Sequence, residues 1–281
     1  MAKVDFHSHT TASDGLFAPK DVVRLAESAG LAAVGITDHD TVAGVKEAIA
    51  EGDKRGVTVV PGVEISTLWQ GKEIHMLGLF IIPDHPYLQK KLEEQRNTRK
   101  VRNRMIIENL NRLGISITME EVMEKKRGKG GDVNVGRPHI AEVLIDKGIV
   151  HSMDEAFDQY LGRGGKAYAT PDRISPLEAI DLIHTSGGAA VLAHPGLYEQ
   201  DDLIPLLVSK GLDGIEVNHP DHTEDAKEKY QVMAEKYGLI ATAGSDFHGE
   251  RNGSMYHAPL GTCTTDVSKV ELLRKAALKR R

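Results

Sequence analysis

Cysteine is almost missing from this chain: Cys263 stands alone among 281 residues. No internal disulfide can form, and no thiolate metal cluster can be built. A reducing, cytoplasmic location is the expectation that fits. Aromatic residues make up 5% of the chain, too few for a base-stacking platform along a long single strand. No apolar run approaches the ~18 residues of a membrane span, and the opening MAKVDFHSHT has no apolar signal-peptide region. Positive charge is not in excess: 35 Lys and Arg against 41 Asp and Glu give a formal charge of −6. That disfavours a globally basic nucleic-acid binder but leaves room for a local basic patch. Nothing calls for an obligate protein partner.

What is present is ordinary for a globular protein, with 40% hydrophobic and 27% charged residues. The length suits one or two domains with a full core. Short apolar runs alternate with helical patterns. Strands are expected at 4–6, 31–37, 57–63, 73–82, 189–193, 213–218 and 239–245. Helices are expected at 19–30, 42–54, 175–188, 202–211, 224–238 and from Val267 to the end. Repeated strand–helix units with buried apolar strands predict an α/β fold with parallel pairing, a barrel or a doubly wound sheet.

The alternation breaks between about 84 and 170. A long helix over 87–114 and shorter ones near 118–126, 136–147 and 152–160 read as a helical insertion, or cap, spanning 84–170. The scaffold is then 1–83 and 171–281. The insertion is basic, from Lys90, Lys91, Arg96, Arg99, Lys100 and Arg102 to Lys129. Such a run is either a solvated helix face or a cap that draws in a polyanion. KKRGKGGD (125–132) reads as a loop. GRGGK (162–166) lacks the spacing of a phosphate loop and reads as a turn, although Arg163 and Lys166 could reach a substrate.

Thirteen histidines are unusual, and their placement carries the functional reading. His7 and His9 close the first expected strand, with Asp14 soon after. His39 and Asp40 follow the second, and Glu64 the third. His75 lies within the fourth. His194, then Asn218 and His219, then Asp246 and His248 follow the last three. Functional side chains collect at the C-terminal ends of strands in βα scaffolds. Residues i and i+2 on an extended segment share a face, so His7 with His9, and Asp246 with His248, can each grip one cation. Imidazole and carboxylate donors without thiolate suit Mn²⁺, Fe²⁺ or Zn²⁺. Six imidazoles and three carboxylates exceed the needs of one ion, which implies two or three. His85, His151, His184, His222 and His257 are expected to have no part in this.

HSHTTASDG (7–15), GITDHDT (35–41), PGVEIS (61–66), IHMLG (74–78), AHP (193–195) and GSDFH (244–248) together resemble the polymerase and histidinol phosphatase (PHP) superfamily of metal-dependent phosphoesterases. With GRPHIA (136–141), the chain is similar to the branch acting on nucleoside 3′,5′-bisphosphates and short oligoribonucleotides. The resemblance implies a distorted seven-stranded (β/α) barrel with three metal positions, Mn²⁺ foremost. One ion would take His7, His9, Glu64 and Asp246. A second would share Glu64 and take His75 and His194. A third would take Asp14, His39 and His248. Aspartate at 14 departs from relatives that carry histidine there.

The expected reaction is in-line attack on phosphorus by a hydroxide bridging the ions held by Glu64 and Asp246. The 3′-phosphate of a nucleoside bisphosphate would leave. Alternatives are a 5′-to-3′ exonuclease on short RNA, a histidinol-phosphate phosphatase, and a non-catalytic metal-binding scaffold. Arg137 and His139 are the expected phosphate contacts, because a guanidinium matches phosphate bidentately; a helix-start role after VGRP is the alternative. His219 would hold substrate, protonate the leaving group, or merely hydrogen-bond at the rim. Asp40 and Asn218 would support ligands from behind, unless Asp40 caps the next helix. The spatial requirement is severe: Glu64 must lie within about a nanometre of His7 or His194.

Overall fold

A computed structural model describes residues 2–125, 135–169, 173–251 and 254–280. Seven strands follow the expected order: β1 (Lys3–Asp5), β2 (Leu31–Ile36), β3 (Thr58–Trp69), β4 (Lys72–Leu79), β5 (Ala189–Leu192), β6 (Gly214–Asn218) and β7 (Ile240–Ala243). They form one sheet in that sequence order. Phe6 N donates to Ala243 O at 3.0 Å, and Ser8 bridges to Phe247. The first and last strands therefore approach each other and nearly close the barrel. Thr265–Asp266 adds an eighth, antiparallel strand on β1, where seven were expected.

The all-parallel expectation holds for β1–β2–β3 and β5–β6–β7. It fails in the middle, where β4 runs antiparallel to both β3 and β5. The cause is local. Gln70 and Gly71 both adopt positive φ, 47° and 73°, the geometry of a two-residue hairpin turn. This turn extends β3 six residues past its expected end at Val63 and folds β4 straight back onto it. Register pairs Ser66 with His75, which brings the β4 histidine beside the residues that follow Glu64.

Helices cover the barrel where periodicity placed them. α1 (Pro19–Ser28) has proline in its first turn and buries Val22, Val23 and Ala26. α2 (Val45–Arg55) stops at Gly56, whose φ of 70° suits only glycine well. The next is α3 (Pro86–Arg112), then α4 (Met119–Glu124), α5 (Arg137–Asp146) and α6 (Met153–Ala156), with a π-turn at Phe157–Leu161. α7 (Pro176–Thr185) starts with a reciprocal cap: Glu178 N donates to Ser175 Oγ, and Ser175 N donates to the Glu178 carboxylate at 2.7 Å. α8 (Leu203–Lys210), α9 (Glu224–Tyr237) and α10 (Ser268–Leu278) complete the chain.

α3 joins two cores. Leu88 and Leu92 near its start pack with the helix-facing barrel core. Ile106, Ile107 and Leu110 near its end pack with Val122, Ile140, Leu144 and Leu161 in a separate cluster. One 27-residue helix thus runs from one cluster to the other. Of the expected loop at 125–132, all but Lys125 lies outside the described residues. Among the described residues no helix is long and apolar enough to cross a membrane.

Candidate metal centre

The ends of the strands are held in place by buried polar side chains. Asp5 accepts from the backbone N–H groups of His7, Ser245 and Gly261 at 3.2, 3.0 and 2.9 Å, which clamps the end of β1 against the loop after β7. Burial raises its pKa to about 6 in spite of those bonds. Asp38 accepts from Thr10 N and Ser13 N and from both their hydroxyls, curling 10–14 so that Asp14 faces His9. Gly244 must be glycine, since a Cβ there would collide with His7. Asp40, His194 and Asp246 adopt positive φ of 52°, 24° and 50°. Such backbone is costly for residues with side chains and marks positions whose direction matters.

Glu64 sits at the centre, 1% exposed. Its Oε2 lies 3.4 Å from His7 Nε2, 3.1 Å from His9 Nε2 and 3.0 Å from His39 Nδ1. Its Oε1 lies 2.7 Å from His75 Nδ1 and 3.1 Å from His194 Nε2. Asp246 Oδ1 faces the same pair of rings, 3.3 Å from His7 Nε2 and 3.0 Å from His9 Nε2. On the far side of His9, Asp14 lies 3.3 Å from His248 Nε2 and 3.9 Å from His39 Nε2. Residues from position 7 to position 248 meet in one pocket.

Ligand atoms of His7, His9, Glu64 and Asp246 lie within 4.8 Å of one another, as do those of His9, Asp14, His39 and His248. His39, Glu64 and His75 form a third such set, and His194 stands on the same oxygen of Glu64 as His75. His9 and His39 thus lie between groups that the sequence keeps apart. His7 Nε2, His9 Nε2, His75 Nδ1, Glu64 Oε2, Asp246 Oδ1 and His248 Nε2 are buried and, although each lies 2.7–3.4 Å from an opposite group, make no well-aligned hydrogen bond. Buried polar atoms normally find partners. Six inward-facing orphans with nitrogen and oxygen donors fit divalent cations.

Charge reinforces the fit. Burial pulls His194 and His248 down to about 4 and lowers His39, which keeps these imidazoles in the neutral form that binds metals. Burial opposes charge on His9 and His75 too, but adjacent carboxylates prevail and hold them at about 10 and about 9. Burial would raise Glu64, yet the His39, His75 and His7 rings hold it well below its ordinary value. Protons on His9 and His75 thus do the work that cations would do.

Two residues that sequence reasoning passed over stand behind the rings. Glu216, in mid-β6, accepts from His7 Nδ1 at 3.2 Å and from His194 N at 2.9 Å. The Tyr198 hydroxyl lies 2.8 Å from His194 Nδ1 and accepts from His75 N. Both contacts leave Nε2 of His7 and of His194 facing inward. Asp40 accepts from Ser66 N and from Arg99, at 2.9 Å each, which fastens the His39 loop to β3 and α3.

Beside the imidazoles lie four guanidiniums. Arg102 and Arg137 reach the two oxygens of Glu73 at 3.0 and 2.7 Å. Arg99 pairs with Asp40, and Arg173 approaches it at 3.5 Å. Four cations share two carboxylates. Burial and the neighbouring guanidiniums of Arg137, Arg173 and Arg99 outweigh Glu73 and press Arg102 well below the usual arginine range. Arg102 Nε and Arg173 Nη2 are buried without hydrogen-bond partners. Arg99, Arg102 and Arg137 line a cavity of about 150 Å³ together with Asp14, Glu64 and Asp246. It adjoins a chamber of about 360 Å³ bordered by Lys72, Arg163, Tyr168 and Leu197.

The other expected contacts are placed differently. His139 is 1% exposed and does not line either space; its Nδ1 accepts from Gly136 N at 3.1 Å, closing the first turn of α5. The helix-start reading of VGRPH describes it better than phosphate contact. His219 is fully buried against Asp246 Oδ2 at 3.4 Å. Asn218 turns to Thr264 O. His257, expected to have no role, lines the cavity, 3.3 Å from Asp246 Oδ2 and 2.6 Å from Asp221. It lies on a loop beyond the last barrel strand, where no strand-end signal pointed to it.

The PHP domain family model matches residues 5–251. The chain is 38% identical to the 5′-3′ exoribonuclease Rnm of Salmonella typhimurium, over 87% of this chain and 84% of that one. It is 35% identical to a 3′,5′-nucleoside bisphosphate phosphatase of Chromobacterium violaceum, over 90% of each. Among solved structures, an amidohydrolase from Chromobacterium violaceum with bound sulfate and no metal superposes with a TM-score of 0.85. It is 32% identical and covers 99% of this chain and 97% of that one.

Proposed function

Since the chain belongs to the PHP domain family, we propose that it is a metal-dependent phosphoesterase acting on the 3′-phosphoester of 5′-phosphorylated nucleotides. Nucleoside 3′,5′-bisphosphates are the simplest such substrates and would yield nucleoside 5′-monophosphates. One observation carries this reading: the imidazole–carboxylate cluster and the undercompensated guanidinium cluster line one cavity. A substrate with two phosphoryl groups satisfies both.

Divalent cations, two or three in number with Mn²⁺ foremost, would polarise the phosphoryl oxygens and make water nucleophilic near neutral pH. His7, His9, Glu64 and Asp246 would hold one; Glu64, His75 and His194 a second; Asp14, His39 and His248 a third. The chain's own residues do the positioning. Arg102 and Arg137 take the 5′-phosphate bidentately, which relieves the positive charge around Glu73. Tyr168 and Leu197 offer apolar faces for the nucleoside in the adjoining chamber. A water oxygen bonds to phosphorus, the P–O3′ bond breaks, and a proton ends on O3′. His257, at the cavity wall beside Asp246, would supply the proton to that oxygen.

Exonucleolytic release of a 5′-nucleotide from RNA breaks the same P–O3′ bond. The likeness to exoribonucleases supports this second reading, and the two readings differ only in what else phosphorus carries. Phosphate release by Mn²⁺-loaded protein from adenosine 3′,5′-bisphosphate, 3′-AMP, 5′-AMP and histidinol phosphate tests the proposal. The expected order puts the bisphosphate first. Equal turnover of 3′-AMP would remove the role of the guanidiniums, and preference for histidinol phosphate would overturn the reading.

A further inference from the structure

A second, basic groove lies just outside the metal centre. It begins at Thr41–Ala43, immediately after His39 and Asp40, and is walled by Lys46 of α2 and by Arg96 and Lys100 of α3, enclosing about 270 Å³. α3 thus presents two basic faces. Arg99 and Arg102 point into the metal cavity, whereas Arg96 and Lys100, one helical turn apart, point into the groove. Arg96 Nη1 donates to Asp40 O at 3.0 Å, so a single guanidinium touches the wall between the two spaces. Among the described residues neither Arg96 nor Lys100 forms an ion pair. Lys46 pairs with Asp84, but both partners are some 70% exposed, at 72% and 70%, and such a pair is weak and readily exchanged. The groove therefore has an excess of positive charge next to a phosphoester-cleaving centre, in a chain whose net charge is −6.

We infer that this groove receives the phosphodiester backbone of an RNA strand downstream of the scissile linkage. The inference rests on the function proposed above. In that reaction the 5′-terminal nucleotide fills the cavity, and phosphorus carries either hydroxyl oxygens or the 5′-oxygen of the next nucleotide. A strand attached there must leave the centre past a wall. The wall formed by 40–43 is the one backed by cations at helical spacing. The interaction is with the backbone: few aromatic side chains are available for stacking, and three flexible basic chains suit phosphates of any sequence.

The test compares wild type with Lys46→Glu/Lys100→Glu, and with the milder Lys46→Gln/Lys100→Gln, on adenosine 3′,5′-bisphosphate and on 5′-phosphorylated RNA of two to ten nucleotides. Neither lysine touches the metal cluster. The expected result is unchanged kcat/KM on the bisphosphate. On RNA beyond two or three nucleotides KM should rise about tenfold or more, with a salt slope smaller by about 1.4, the share of two phosphates on a single strand. Equal losses on all substrates, or none on RNA, would overturn the groove assignment. So would wild-type protein that hydrolyses the bisphosphate and leaves RNA intact. Failure of wild type on every substrate would instead sink the proposed function. In that case fluorescence anisotropy of labelled single-stranded RNA on the metal-free protein reads the groove directly: binding weakened by charge reversal sustains it, and unaltered binding ends it.

Discussion

Glu216 holds His7 from behind: its carboxylate lies 3.2 and 3.3 Å from Nδ1, while Nε2 of the same ring faces Glu64 and Asp246. A fully buried carboxylate in mid-strand is expensive. It is compensated here by the His7 ring and by the backbone N–H of His194, so one side chain orients two imidazoles from different strands.

Replacing Glu216 with Gln keeps the volume and removes the charge that fixes the His7 tautomer. Mn²⁺ affinity is expected to fall about 10- to 100-fold, read by competition with a fluorescent chelator. Undiminished affinity would show that Glu216 serves the strand alone.

Glu64→Ala deletes the carboxylate shared by five imidazoles. The variant should lose bound metal and phosphate release together. Full turnover with correctly assayed metal content would disprove the shared-ligand arrangement.

Arg137→Ala removes a guanidinium that lies 2.7 Å from Glu73 and borders both spaces. KM for nucleoside 3′,5′-bisphosphates should rise by one to two orders of magnitude, about 1.5–3 kcal/mol for a charged hydrogen bond, while 3′-AMP turnover changes little. Equal effects on both substrates would argue for a purely structural role.

Metal binding must displace protons from His9 and His75, which sit at about 10 and about 9. For these raised groups, the stability from protonation is complete below the ordinary value of 6.5 and is lost as pH rises through 9 to 10. His194 and His248, lowered to about 4, act oppositely: stability is present above 6.5 and lost as pH falls toward 4. The metal-free protein should therefore melt highest near pH 6.5. The gain in Tm on adding Mn²⁺ should grow between pH 6.5 and 9, with protons released on titration. A pH-independent gain would contradict the proton–metal exchange.

Most of the nine clustered residues were legible before any coordinates because strand ends are legible, whereas His75 lay within an expected strand. A short apolar run followed by His or Asp places that residue at the C-terminal rim, whatever the curvature of the sheet. Glu216 was hidden by the same logic: inside DGIEVN it reads as one polar residue in a buried strand, and only the proximity of His7 gives it a task. The hairpin at Gln70–Gly71 fell in the unassigned stretch 64–72 between two expected strands, and the strand–helix alternation elsewhere suggested that those strands run parallel. His257 had no pattern at all, because loop residues beyond the barrel are placed by packing.

The order of strands and helices, the absence of thiolate chemistry and the identities of the inward-facing donors were determined by sequence alone. They depend on periodicity and residue type, which are local properties. Only the tertiary structure decided that Arg99, Arg102, Arg137 and Arg173 crowd around two carboxylates, that His139 caps a helix, and that α3 turns a second basic face outward. Those outcomes depend on how one long helix lies across the barrel rim. That angle is set by the simultaneous packing of two separate cores, and no single stretch of sequence contains it.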